Sequence, residues 1–433
     1  MSLFDTLRTG ASGLGVAGTN LGVIGDNIAN VNTTGFKRST ASFAEQLSLD
    51  VGTLGGRAQM GQGALPASIR QNFAQGGFQG TGSALDVAIN GSGFFVVHDG
   101  SRPMYTRDGS FVLDSQGYVT TTGGLRVQGY NADGEGLSNS VGDLQLDLGP
   151  SDPRATGQIT MDMVLSPSAS TEDDFSSLVL DGTSGATMSE ATAAADFTTS
   201  VSVYDSLGNP HDVVVAFERT ADSEWAWTAM IPGGDTTAGE GDHALAISSG
   251  TLKFDEDGNL SRMTQDEVNT SWKWPGARPY SFDMNVGQGQ RDGSVRMQNE
   301  AEMSSVSAVS QDGWSVGTVA EVAVDATGTV IARYSNGEEA DIGQLTMANF
   351  SAEGGLLRAG GNMYVATTAS GDPALGAAGE SGRGEVMGYA LEMSNVDLEA
   401  EFIAMIQAQR SYQANAGLIK TADETLQELV NLV

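Results

Sequence analysis

The sequence predicts a mainly β protein with long terminal α-helices. It is a discontinuous multi-domain subunit, with a terminal coiled-coil pair and two β domains. Three observations predict this class. Apolar or small residues at Leu3, Leu7, Gly10, Leu14, Ala17, Leu21, Ile24, Ile28 and Val31 advance by alternate steps of four and three. A second series of the same kind runs Met405, Ala408, Tyr412, Asn415, Ile419, Ala422, Leu426, Leu429 and Val433. Between the two, short apolar runs alternate with Asp-Gly and Gly-rich turns. A period of about 3.5 residues marks the narrow seam of a coiled coil rather than the wider apolar face of a surface helix. Heptads at both ends imply termini that pair with each other or with copies of themselves, which is the layout of a subunit in an assembly.

The first helix is expected to end near Asn30–Gly35, where turn formers cluster and Gly35 can take the left-handed conformation. It contains Gly10, Gly13, Gly15, Gly18, Gly22 and Gly25. Each costs roughly 1 kcal/mol against alanine, on the order of 5 kcal/mol together, which a lone helix of this length does not easily offset. The segment is therefore expected to become helical when partners supply packing. Residues 36–84 lack a clear period and are predicted as an extended linker.

Strands follow. Leu85–Ile89 alternates with period two, Phe94–Val97 follows a Gly-rich turn, and Phe111–Leu113 lies between turns at Asp108-Gly109 and Asp114–Gly117. A second β block holds Val201–Tyr204, Val213–Phe217, Trp225–Trp227 and Leu252–Phe254, with Ser166–Ala195 expected as a long exposed loop. Strand signals return at Val322–Val324 and Val330–Ala332. The last helix is expected from Ser394, where Ser394-Asn395-Val396-Asp397 has capping-box spacing, and would run roughly 60 Å to Val433. The organisation that results is 1–35 with 394–433 as paired helices, 36–84 as linker, 85–146 with 285–393 as a middle β domain, and 147–284 as an inserted outer β domain.

Composition narrows the function. A length of 433 residues suits two or three domains. Glycine, at 58 residues without a triplet period, reads as turns rather than collagen. Cysteine is absent, so disulfides, thiolate metal sites and cysteine nucleophiles are excluded. With 54 acidic against 21 basic residues the formal charge is −33, which argues against binding nucleic acid through phosphates and against anionic membranes. Self-repulsion between packed copies makes assembly favour salt. No apolar run is long enough to span a bilayer, so no membrane insertion is expected. Met1–Asp5 lacks the basic and apolar regions of a cleaved secretory signal, so export would need another route.

Several stretches carry a family resemblance. Asn27-Ile28-Ala29-Asn30-Val31-Asn32-Thr33-Thr34-Gly35-Phe36-Lys37 resembles the N-terminal signature of the bacterial flagellar rod and hook axial proteins. Leu85–Val97 and Tyr105–Tyr118 resemble that family's β core, and Ser394–Leu432 its C-terminal signature, including Asn395, Asp397, Gln413 and Asn415. Val203–His211, Leu252–Leu260, Gln311–Gly317 and Tyr334–Gln344 are similar to the hook branch. Departures are Ser351-Ala352-Glu353, where the family often has Asn-Pro, and Gly417 and Thr425 within the last helix.

The resemblance implies a structural subunit of the flagellar hook, polymerising into a curved tube that passes torque from rod to filament. Implied partners are copies of itself, the distal rod, the hook cap, the hook–filament junction proteins and the flagellar type III export apparatus. The implied place is extracellular, in the hook and basal body. Assembly is expected along Leu7, Leu14, Leu21, Ile24 and Ile28 with Met405, Tyr412, Ile419, Leu426 and Leu429. The alternatives are a distal-rod protein with an inserted domain or, from a different class, a secreted oligomeric β-rich binding protein.

No enzyme is expected, and no cofactor or metal. His98, His211 and His243 each adjoin Asp or Gly in an expected exposed turn, and neither a His-Glu-x-x-His helix nor a Gly-x-Ser-x-Gly elbow is present. Asp255–Asn259 faintly resembles a calcium loop, but its glycine stands at the fourth position, which excludes an EF-hand.

Overall fold

The structure is a computed structural model describing residues 3–47, 49–53, 56–133, 136–169, 175–267, 272–279, 281–286, 295–297 and 303–431. It contains helices α1 (Leu3–Ala29), α2 (Met188–Ala194) and α3 (Leu398–Asn431) among many short strands. Two compact units result. Unit 1 takes Met1–Leu148, Glu321–Arg333 and Glu339–Val433, and unit 2 takes Gly149–Ala320 and Tyr334–Glu338.

In unit 1 one sheet runs Thr329–Tyr334, Glu339–Leu345, Arg126–Ala132, Phe94–His98, Pro103–Thr106, Met363–Val365 and Leu357–Gly360. Its centre, Phe94–His98, is covered on both faces, which is why that strand reads as an unbroken apolar run rather than an alternation. On one face Phe94, Val96, Tyr105, Phe350 and Tyr364 form a core. Its rings meet edge to face, Tyr105 with Phe350 at 4.8 Å and Phe94 with Tyr364 at 5.8 Å. Burial pushes the Tyr364 hydroxyl up to about 12.

Two expectations for this region need correction. Residues 36–84 are no bare linker: Ser39–Glu45 pairs antiparallel with Ala64–Gln71, Leu49–Thr53 with Gly56–Met60, and Phe78–Gly80 with Ala390–Glu392. The Ser39–Glu45 and Ala64–Gln71 ribbon leaves Phe43, Leu65 and Ile69 exposed. With little of either strand buried, neither carries the alternation that marks a half-buried strand. The return to unit 1 falls at 321, not 285, because Gln158–Leu165 needs the later strands. It pairs parallel with Asp283–Val286 and Val295–Met297 and antiparallel with Ser305–Gln311.

In unit 2 that small sheet turns Ile159, Met161, Met163 and Leu165 inward, each fully buried. The second sheet is a meander of Phe197–Tyr204, Pro210–Ala221, Glu224–Pro232, Ala244–Phe254 and Leu260–Met263. It contributes Val213, Val215, Phe217, Trp225 and Trp227 to the same core, so two sheets share one interior. The expected loop 166–195 is partly structured. Thr187 and Glu190 close a capping box on α2, and Phe175 and Ala191 are buried against Ala216, Met230 and Ala244. The Thr-x-x-Glu spacing that caps α2 is present in the sequence, set within a Ser/Thr/Ala-rich composition that resembles a loop. Residues 170–174 lie outside the described residues.

One turn recurs through both units. At Asp114, Asp205, Asp255 and Asp325 the carboxylate accepts the backbone N–H groups two and four residues on. The fourth residue, Gly117, Gly208, Gly258 or Gly328, sits at φ near +80° (+84, +82, +79 and +78), which favours glycine. The pattern Asp-x-x-Gly-x is thus a hairpin device, and Asp255–Asn259 is one of its copies.

Candidate assembly site at the chain termini

α1 and α3 pack antiparallel. A Cβ on Gly10 would lie 2.9 Å from Ile419 Cγ1, and one on Gly13 2.7 Å from the Asn415 amide. Farther toward the start of α1, Thr6 shares an open groove of about 420 Å³ with Leu418, Thr421, Ala422 and Thr425. Two of the helix glycines therefore serve close approach to α3. The other four, Gly15, Gly18, Gly22 and Gly25, have nothing within 4 Å of an added Cβ.

The seam residues divide. Ala17, Ile24, Ala408 and Ala422 are buried. Leu7, Leu14, Leu21, Ile28, Met405, Ile419 and Leu426 are half-buried. Tyr412 is 44% exposed, and the side chain of Leu429 lies outside the described residues. Sequence reasoning missed a second apolar stripe: Leu398, Phe402 and Ile406 on α3 are exposed, with Ile403 beside them, while exposed Leu418 borders the contact with Gly10. Its signal is the spacing of Leu398, Phe402 and Ile406, four residues apart, beside the heptad seam. Gly417 does not break α3; Thr421 Oγ1 donates to its carbonyl at 2.9 Å.

Where the helices leave the β core, residues from both ends of the chain meet. α1 stops at Ala29, and Asn30 Nδ2 donates to the Asp26 carbonyl at 2.8 Å. Buried Asn27 brackets Ser39, donating to its carbonyl at 2.8 Å and accepting its N–H at 2.9 Å. Gly35, at φ +67°, lies beyond the helix end and does not close it. A Cβ there would fall 2.6 Å from Asp108 N, so the glycine lets two backbones touch. Phe36 is buried, with the Arg358 guanidinium 5.2 Å from its ring centre, and Arg358 also bonds Asp26 at 3.1 Å. Asn362 Nδ2 donates to the Thr34 carbonyl at 2.8 Å. Asn32 is exposed.

From the other end, Asn395 accepts Arg38 N at 2.7 Å and donates to the carbonyls of Asn72 and Ala74, both at 2.8 Å. This ties the segment around Asn395 to the core ahead of the helix, which starts at Leu398. The N-cap is Asp397, which accepts Glu399 N at 2.9 Å and Ala400 N at 3.2 Å, and not Ser394 as the sequence suggested. Arg38 pairs with buried Glu401. Gln413 is exposed on α3, and Asn415 faces Gly13. The fully buried group at the centre consists of Lys37, Arg107 and Glu392. Burial pushes the Lys37 ammonium and the Arg107 guanidinium down, and the Glu392 carboxylate opposes this in both.

The histidines are less exposed than expected. His211 stacks on Trp274 at 4.1 Å between ring centres and faces Asp205 Oδ2 at 3.3 Å. The Asp205 carboxyl feels an upward push from burial, outweighed by hydrogen bonds from Asn209, Leu207 and His211 that hold it low. His243 Nδ1 contacts the Gly185 carbonyl at 2.9 Å, and His98 Nδ1 accepts Gly100 N at 3.0 Å. Among the described residues no three His, Asp or Glu side chains converge as a metal site. No helix among them is long and apolar enough to cross a membrane.

Four family models match successive parts of the chain. They are the flagella basal body rod protein at 7–37, the flagellar hook protein FlgE/F/G D1 domain at 88–169, the flagellar basal body protein FlaE D2 domain at 174–314, and the flagellar basal body rod FlgEFG protein C-terminal at 387–432. The flagellar hook protein of Salmonella typhimurium is 36% identical over 427 residues, covering 97% of this chain and 98% of its own. That of Treponema pallidum is 34% identical over 471 residues, covering 99% and 100%. A crystal structure of a Helicobacter pylori flagellar hook protein covers 71% of this chain and 98% of its own, with a TM-score of 0.49 and 13% identity. Matched from end to end by these relatives, the chain belongs to the flagellar hook protein family.

Proposed function

We propose that this chain is a structural subunit of the bacterial flagellar hook, polymerising into a curved, flexible tube that works as a universal joint between rod and filament. The observation that carries the assembly reading is the unspent apolar surface of the terminal helices. Phe402, Ile403 and Ile406 stay exposed on α3 after it has paired with α1. A subunit that repeats one heterologous contact without closing it builds a helical tube. The relatives' names and the signatures at both ends support hook location. Partnership with the distal rod, the hook cap, the hook–filament junction proteins and the flagellar type III export apparatus, with export outside the cell by that route, is part of the proposal and follows from the family resemblance.

Electron microscopy of the purified chain with and without high salt tests this. Curved tubes are expected from the parent and none from Leu21→Asp or Ile419→Asp, with the β units still folded by circular dichroism. Normal tubes from both variants would sink the seam reading. A control lacking the helices should remove 1–26 and 402–433, since residues 27–38 and 392–401 belong to the buried junction.

A further inference from the structure

The junction is built from residues that stand far apart in sequence. The ties Lys37–Glu392, Arg38–Asn395 and Arg38–Glu401 span 355, 357 and 363 residues. Glu392 has the most bonds. Its Oε1 accepts Lys37 Nζ at 2.7 Å and Gly76 N at 2.8 Å, its Oε2 lies 3.5 Å from Arg107 Nη1, and its backbone carbonyl accepts Gly35 N at 2.7 Å. Lys37 and Glu392 are 0% exposed and Arg107 is 2% exposed, so water screens none of them. Arg107 also lies over the Phe94 ring, at 5.2 Å from its centre.

Breaking a buried pair by removing one partner leaves an uncompensated charge, which is far more costly than losing a surface bridge. Lys37 can enter this apolar interior only if Glu392 is already there, or arrives with it. In turn, Glu392 without Lys37 keeps the Gly76 N–H but has only Arg107, at the longer distance, as a counter-charge. We propose that Glu392 is a positioning residue that makes docking of Gly35–Arg38 conditional on the C-terminal strand Ala390–Glu392. The two ends of the chain then seat on the β core together or not at all, and α1 and α3 leave it from one shared anchor. This property belongs to the folded chain and holds whether or not the chain polymerises.

A coupling of this kind is reciprocal: whatever free energy the C-terminal strand lends to docking of the N-terminal segment, the N-terminal segment lends back. The test is hydrogen exchange by mass spectrometry on the full chain, its Glu392→Gln variant and its Lys37→Met variant. Glu392→Gln should raise exchange at residues 33–39, and Lys37→Met at residues 393–401, each by roughly tenfold or more. Exchange at Phe94–His98 and Val213–Phe217 should not change. The double variant should lose less than the sum of the singles. Lys37→Met leaves the Glu392–Arg107 pair intact, so the test survives if Glu392→Gln fails to fold. Loosening confined to the mutated side, uniform loosening across the chain, or a parent already unprotected at 33–39 would each overturn the proposal.

Discussion

Replacing Gly15, Gly18, Gly22 and Gly25 together by alanine separates the stability of the helix pair from the demands of the tube. These glycines lie on one arc of α1, and an added Cβ at each meets nothing within 4 Å in the single chain. Each substitution should therefore stabilise α1 by about 0.5–1 kcal/mol, or about 2–4 kcal/mol for four. Gly10→Ala is the control in the opposite sense: its Cβ would sit 2.9 Å from Ile419 Cγ1, and overpacking of this kind costs about 1–3 kcal/mol. Among the described residues no close contact at the four open positions makes use of the missing side chain, so the compensation is expected between subunits, where bare backbone lets another helix approach. The quadruple variant should show a stronger helix signal as monomer. Its critical concentration for polymerisation, read by sedimentation, should rise about tenfold or more, equivalent to about 1.4 kcal/mol per subunit. A critical concentration equal to or below the parent's would refute the reasoning, because helix stabilisation alone would then account for the change.

Other outcomes follow from the same geometry. Gly35→Ala should destabilise unit 1 by about 2–5 kcal/mol, from the left-handed backbone and the contact with Asp108; a denaturation midpoint like the parent's would contradict the close-approach role. Tyr389 holds φ +55° while its hydroxyl meets Glu321 Oε1 and the Val322 carbonyl, each at 3.0 Å, so Tyr389→Phe should cost about 1 kcal/mol in urea unfolding. Asp99 is held below the carboxylate range by the Ser101 hydroxyl and nearby N–H groups, Asp181 by the N–H groups of Ser184, Thr183 and Gly185, and Asp205 by its turn despite burial. Their folded values lie below the unfolded ones, so their stabilisation is complete above about pH 4 and is lost as the pH falls through the depressed values. Calorimetric melting should thus decline steadily on acidification, and Asp205→Asn, which keeps an acceptor in the turn, should flatten the decline for unit 2. An identical acid profile in that variant would assign the loss to other groups.

What the sequence made legible was whatever repeats at short range. The heptads of both helices, the buried run Phe94–His98 and the Asp-x-x-Gly-x turns all declare themselves within a few residues. What it concealed depends on distance or exposure. Lys37 stood inside a recognised motif, yet nothing near it in sequence announces that its counter-charge is Glu392. The ribbon of Ser39–Glu45 and Ala64–Gln71 buries so little that no alternation betrays it. Asn395 spends its side chain on Arg38, Asn72 and Ala74, so the apparent capping box at Ser394 gives way to Asp397. The strands from Asp283 to Gln311 belong with unit 2, not with the middle domain the sequence suggests, because their partner, Gln158–Leu165, comes more than a hundred residues earlier.

The placement of the aromatic residues gives the two units separate optical identities. All five tryptophans, Trp225, Trp227, Trp272, Trp274 and Trp314, fall between Gly149 and Ala320, whereas both long helices belong to the other unit. Indole emission therefore follows unit 2, while far-ultraviolet ellipticity of the helices follows unit 1. One unlabelled sample, heated once and watched in both channels, resolves whether the units unfold as one cooperative body or as two.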